Sequence, residues 1–180
     1  MTGRVGRTMN LDVVIRKIPD FPKPGVLFYD ITSLFMNPEA LEYVSKKMLD
    51  AFEHTKIEAV IAIESRGFIL GGIFAKERRV PLILARKKGK LPGDTIEESY
   101  DLEYGQATLE IHKADISPGK KYLIIDDLIA TGGTIKAVAT MIEKSGSEVA
   151  GVFAIISIPL GYAEKIGKYK AMVLQVYHGE

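Results

Sequence analysis

Cysteine and tryptophan are absent from this chain of 180 residues. Without cysteine there is no disulfide framework and no thiolate metal site. An excess of one charge is lacking too, since 24 basic residues against 23 acidic ones leave a net charge of +1. That balance offers no bulk attraction to nucleic acid or to an anionic membrane, so any anion binding has to be built locally. No apolar run approaches the roughly 20 residues that span a bilayer. The longest, GVFAIISIPL from Gly151 to Leu160, reads as a strand. No signal-peptide core opens the chain, and no repeat or low-complexity tract interrupts it. The expectation is a soluble, cytoplasmic protein with neither a nucleic-acid nor a membrane partner.

What is present is a 47% apolar composition, enough for one substantial core, so residues 1–180 are expected to form a single domain. Short apolar runs alternate with helical patterns, the signature of an α/β fold whose parallel strands are joined by crossover helices. Strands are expected at Ala59–Ile63, Pro81–Ala85, Tyr122–Ile125, Val149–Ser157 and Ala171–Val176. Asn37 can cap a helix with Pro38 at its first position, placing Leu41, Val44, Met48 and Phe52 on one face. A second helix is expected from Gly133 to Lys144, with Ile135, Val138 and Ile142 inward and Gly146 ending it. A third follows Arg66, and its Gly71 and Gly72, each unfavourable by about 1 kcal/mol relative to alanine, imply close packing. The charged stretch from Lys87 to Lys113 is too long for an ordinary connection and reads as a functional lid or a disordered loop.

One stretch carries chemistry. In YLIIDDLIATGGTI, Tyr122 to Ile135, an apolar strand ends in two acids and then runs through small residues into a helix. Ligands of open parallel sheets bind at this edge. Strict alternation would point Asp126 and Asp127 to opposite faces, so a turn is expected at Asp127. Ala130, Thr131, Gly132, Gly133 and Thr134 have small side chains, so their N–H groups can close on an anion at the helix start. Paired carboxylates beside a phosphate cradle suit sugar hydroxyls or the water shell of a metal. A triphosphatase or dinucleotide site would need a partner motif, and neither G-x-x-x-x-G-K-[ST] nor G-x-G-x-x-G after a strand occurs.

The string resembles the 5-phosphoribosyl 1-pyrophosphate motif of the type I phosphoribosyltransferases. That resemblance implies a central, mostly parallel sheet flanked by helices, with a small N-terminal hood at about residues 10–35 and a flexible lid at about 87–113. It also implies that Ala130 to Thr134 receive the 5′-phosphate and that Asp126 and Asp127 address the ribose hydroxyls. FPKPGVLFYDIT (Phe21–Thr32), ESRGF (Glu64–Phe68), RKKGKLPG (Arg86–Gly93) and LEYGQATLEIH (Leu102–His112) follow in the order found in the adenine-specific members of that family.

Each of these segments also has a physical reading. Pro22 and Pro24 stiffen the first, and Gly25 is free to turn. The resemblance puts adenine on the Phe28 ring, with the backbone of Leu27 and Tyr29 at its edge; many members have Arg at the position of Tyr29. Arg66, after a strand, suits multidentate phosphate binding, and Ser65 beside it belongs to the pyrophosphate loop of the family, which often holds a cis peptide. In the basic run, Arg86, Lys87 and Lys90 supply the positive charge pyrophosphate needs, and the family sends the residue at Arg86 into a partner subunit, so a homodimer is implied. Asp94 to Glu103 then carries five acids in ten residues. Glu103 and Tyr104 match the catalytic pair of the family: Glu103 exchanges a proton with a purine nitrogen, its pKa raised when the lid expels water, and Tyr104 shields the centre.

The implied reaction transfers the 5-phosphoribosyl group to N9 of adenine, giving AMP and pyrophosphate. Mg²⁺ is held mainly by oxygens of the donor, so no protein metal ligand is assigned. His54, His112 and His178 lie apart and form no ligand spacing. Two alternatives are a donor-sensing regulator, which calls for a basic stripe or a helix-turn-helix extension, and a transferase for 6-oxopurines.

Overall fold

A computed structural model describes residues 8–101, 105–158 and 160–177. The chain, read from sequence as one domain, parts into two compact units, one ending at Lys47 and the other beginning at Met48. In the first, a short helix α1 (Leu11–Val14) is capped by Asn10, whose side chain accepts the Asp12 N–H at 3.0 Å. Strands β1 (Arg16–Ile18) and β2 (Phe28–Asp30) form an antiparallel pair with Ile18 opposite Phe28. The loop between them is wired by its own polar groups. Asp20 adopts the left-handed region at φ 57° and its Oδ1 accepts the Gly25 N–H at 2.7 Å, while Phe21 N–H donates to the Val26 carbonyl at 3.1 Å.

After α2 (Thr32–Phe35), helix α3 (Pro38–Ala51) starts where Asn37 and Pro38 predicted it, the Asn37 side chain accepting the Ala40 N–H at 3.1 Å. Its fully buried positions are Ala40, Val44 and Met48, four residues apart. Leu41, expected on that stripe, is only half-buried because it lies one step around the helix.

In the second unit an eight-stranded sheet is built from β3 (Ala59–Ile63), β4 (Leu82–Lys87), β5 (Thr95–Asp101), β6 (Gln106–His112), β7 (Lys121–Ile125), β8 (Leu128–Ile129), β9 (Glu148–Ser157) and β10 (Ala171–Val176). Its order is β10-β9-β7-β3-β4-β6-β5, with β8 paired to β9. Strands β10, β9, β7, β3 and β4 are mutually parallel. Helix α4 (Gly67–Arg78) links β3 to β4, α5 (Gly133–Lys144) links the β7–β8 segment to β9, and α6 (Tyr162–Ile166) precedes β10. The apolar runs are continuous because parallel strands carry helices on both faces. Val60, Ile61, Leu123, Ile124 and Ile125 accordingly have no exposed surface. On α5, Ile135, Val138 and Ile142 are equally buried, each contributing about 1.5–3 kcal/mol.

Two expectations are met only in part. The stretch from Lys87 to Lys113 is not a structureless loop among its described residues: β5 and β6 form an antiparallel hairpin, and β6 pairs with β4. Of the glycine pair in α4, only Gly71 is packed tightly, a Cβ there falling 2.5 Å from the Ala62 Cβ, whereas a Cβ on Gly72 would meet nothing within 4 Å. No helix among the described residues is long and apolar enough to cross a membrane.

Candidate active site

The connection from β3 leads through α4 to β4 on one side, and that from β7 leads through α5 to β9 on the other. The crossovers therefore diverge between β3 and β7, and the carboxyl ends of those two strands are where ligands of such sheets bind. Glu64, Ser65 and Arg66 follow β3, and Asp126 and Asp127 follow β7. The sequence motifs thus converge on the topological switch point. The Glu64–Ser65 peptide bond is cis.

Both aspartates are 5% exposed. Strand β7 stops at Ile125, and the chain is held through the turn because Asp126 N–H donates to the Phe153 carbonyl while Asp127 N–H donates to the Asp126 carboxylate at 2.8 Å. Burial raises the Asp126 carboxyl well above its ordinary pKa, the neighbouring Asp127 charge raises it further, and Arg66 opposes them. Asp127 instead has a direct partner: Arg66 Nε donates to its Oδ2 at 2.5 Å. Sequence reading gave these two residues to different parts of the donor, whereas the fold pairs them. Only Nε is spent on Asp127, so the outer guanidinium nitrogens remain available to an anion on a side chain that is 39% exposed.

The cradle is built at the start of α5. Gly132 caps the helix at φ 74°, a left-handed conformation that favours glycine, and has no side chain of its own to offer the first turn. Apart from the long contact of Gly133 N–H, no side-chain acceptor for the first-turn N–H groups occurs among the described residues, which leaves them to an outside acceptor. Thr134 Oγ1 lies 3.5 Å from the Asp126 carboxylate, and Gly133 N–H reaches Thr131 Oγ1 at 3.4 Å. Ala130, Thr131 and Thr134 are half-buried, and Gly132 and Gly133 are buried. A Cβ on Gly67 would lie 2.9 Å from the Ile125 carbonyl, so the start of α4 sits against the strand that carries the aspartates.

Sequence reading missed Tyr100, near the end of β5. Its ring comes within 3.0 Å of where a Gly133 Cβ would stand. Burial raises its hydroxyl pKa, and the Asp126 charge raises it further. The available signal was the alternation of TIEESYD, which turns Ile96, Glu98 and Tyr100 to the covered face.

At the end of β4, Arg86 Nε donates to the Glu64 carboxylate at 3.2 Å and its Nη1 to the Lys90 carbonyl at 3.1 Å. Lys88 is paired with Glu97 at 2.6 Å. Lys87 and Lys90 are exposed and have no carboxylate partner among the described residues. Glu103 and Tyr104 lie outside the described residues, as does His178. No group of three or more His, Asp or Glu side chains able to hold a metal occurs among the described residues. In the first unit, the Phe28 ring meets the Phe21 ring edge-on at 5.1 Å and 71°, beside Leu27, which is 46% exposed, and Tyr29.

Residues 30–177 match the phosphoribosyl transferase domain. A curated adenine phosphoribosyltransferase of Treponema denticola is 48% identical over 171 residues, covering 94% of this chain and 90% of its own. The adenine phosphoribosyltransferase of Rhodothermus marinus superposes with a TM-score of 0.86 at 42% identity, over 93% of this chain and 96% of that one. The enzyme of Saccharomyces cerevisiae, solved with an imino-altritol bisphosphate and adenine, superposes with a TM-score of 0.84 at 31% identity, over 91% and 96% of the two chains. With the Asp126–Thr134 string seated at the switch point of the sheet, the chain belongs to the adenine phosphoribosyltransferase family.

Proposed function

We propose that this protein transfers the 5-phosphoribosyl group of 5-phosphoribosyl 1-pyrophosphate to N9 of adenine, releasing pyrophosphate and AMP. The observation that carries this reading is the convergence of Arg66, Asp126, Asp127 and the first turn of α5 on one edge of the sheet. The first-turn N–H groups fix the 5′-phosphate, and the buried acids take the ribose hydroxyls. As the ribosyl carbon becomes cationic, the leaving pyrophosphate gains charge, and Arg66 with Lys87 and Lys90 stabilises it. Bound with the donor, Mg²⁺ would supply further positive charge against the departing pyrophosphate. Asp126 and Asp127, hard oxygen donors on this edge, fit its water shell. Phe28 stacks on adenine, while the backbone of Leu27 and Tyr29 reads its edge. Glu103 exchanges the proton of a purine ring nitrogen, and Tyr104 shields the centre.

The test is a panel of bases assayed with purified protein, donor and magnesium. Adenine presents an amino donor and an unprotonated N1, and hypoxanthine reverses both. Two mismatched buried hydrogen bonds reduce kcat/KM by roughly a thousandfold. Comparable kcat/KM values for the two bases would overturn the adenine assignment and leave the donor site standing.

A further inference from the structure

Lys87 and Lys90, which have no carboxylate partner among the described residues, have something in common. Each has its own main-chain N–H held by a glutamate from a neighbouring segment. Lys87 N–H donates to Glu64 Oε2 at 3.2 Å, and Lys90 N–H donates to Glu110 Oε1 at 2.8 Å. Leu91 N–H donates to the same Glu110 oxygen at 2.7 Å. Glu110 stands on β6, directly across from Arg86 on β4, and is 3% exposed between buried Leu109 and Ile111. Between the two anchors the chain turns at Gly89, φ 83°, with Lys90 N–H also 3.2 Å from the Lys87 carbonyl.

A carboxylate is seldom buried in a strand unless its charge is used. Glu110 makes no ion pair with Lys87 or Lys90, whose side chains remain exposed. Its hydrogen bonds go to the backbone of the turn. Burial alone would raise the Glu110 carboxyl, but the N–H groups of Leu91, Gly89 and Lys90, with the Lys88 charge, hold it below the usual carboxylate value. Such a group fixes where the lysine stems leave the chain without neutralising their heads. Lysine is a flexible point charge with no directional fork, so its usefulness to a polyanion depends on where its backbone is held.

We propose that Glu110 is a positioning residue for pyrophosphate: it locks the Lys87–Leu91 turn so that the ammonium groups of Lys87 and Lys90 are presented, unpaired, to the leaving group. This rests on the reading of the basic run as the pyrophosphate-binding strip, whether the pyrophosphate is bound to the same chain or to a partner. The experiment measures KM for the donor and for adenine in the forward reaction, and for pyrophosphate and AMP in reverse. Glu110→Ala is expected to raise KM for the donor and for pyrophosphate roughly tenfold while adenine and AMP stay within about twofold. Glu110→Gln, which keeps an acceptor oxygen for both N–H groups, is expected to restore most of the loss. Gly89→Ala, strained at its positive φ but with no neighbour within 4 Å, disturbs the same turn from the solvent side and is expected to give the same split. It carries the test if Glu110→Ala does not fold. Unchanged donor and pyrophosphate constants in the folded variants, with only a lower melting temperature, would overturn the proposal. Lys87→Ala and Lys90→Ala separate the two readings. If they alone raise the pyrophosphate constant, Glu110 is merely structural, and if they too leave it unchanged, the strip does not bind pyrophosphate.

Discussion

Asp126 and Glu110 are both buried carboxylates, and their environments push them in opposite directions. Asp126 binds its proton more tightly folded than unfolded, so stability is lost as pH rises from the ordinary carboxylate value through its raised folded value. Asp126→Asn removes that penalty while retaining an acceptor for the Asp127 N–H. The variant is expected to melt higher than the parent at neutral pH, the gap closing on acidification, while donor affinity falls roughly ten- to a hundredfold. Thermal scans across pH check the first statement and donor KM the second. Glu110 has the reverse sign: its contribution is present above the ordinary value and is lost as pH falls through its depressed one. For Glu103 the expected outcome is kinetic. Glu103→Gln lowers kcat by about a hundred- to ten-thousandfold with donor KM nearly unchanged, and a wild-type kcat would remove this residue from proton transfer. The residues proposed to hold the donor stood out because small residues and paired acids after a strand have few other uses. The Arg66–Asp127 bond did not, since the residues lie 61 positions apart and only the parallel pairing of β3 with β7 brings them together.

Within α4 the two adjacent glycines make opposite demands. A methyl group on Gly71 would strike the Ala62 Cβ on β3 and approach Leu82 Cδ1 at 3.1 Å, and Ala62 has no torsion with which to yield. Overpacking of this kind costs about 1–3 kcal/mol, more than the roughly 1 kcal/mol gained in helix propensity. Gly71→Ala is expected to lower stability, and Gly72→Ala, facing open space, to raise it by up to about 1 kcal/mol. Urea titrations of the two variants decide the matter. The elements most legible in sequence were those with apolar runs or stripes: β3, buried on both faces, β10, half-buried at the border of the sheet, and α5, apolar along one stripe, lie at their expected bounds. The β5–β6 hairpin was illegible for the opposite reason. The acids of β5 are exposed or paired with lysines, Glu97 with Lys88 and Glu98 with Lys144, so the composition reads as a solvated loop although the backbone is fully laddered.

At the scale of the whole chain, the switch point between β3 and β7 gathers the donor-binding motifs on one edge, an arrangement predictable once strands and helices alternate. The number of copies at work is a separate matter. We propose a homodimer in which Arg86 serves the site of a partner, its bonds to Glu64 and to the Lys90 carbonyl being those of the single chain. Mixed dimers of Arg86→Ala with an Asp127→Asn subunit are then expected to recover part of the activity lost in either homodimer, and absence of recovery would assign Arg86 to its own chain. The sheet also ends in two chemically unlike borders. Strand β5 carries Glu97, Glu98 and Asp101, whereas β10, reading AMVLQV, carries no charge. Unpaired backbone on an apolar border is a template for adding a foreign strand, while charged side chains along a border discourage one. When the native state loosens, aggregation therefore has a preferred starting place, at the carboxyl-terminal strand and away from the hairpin that lies against the phosphate cradle.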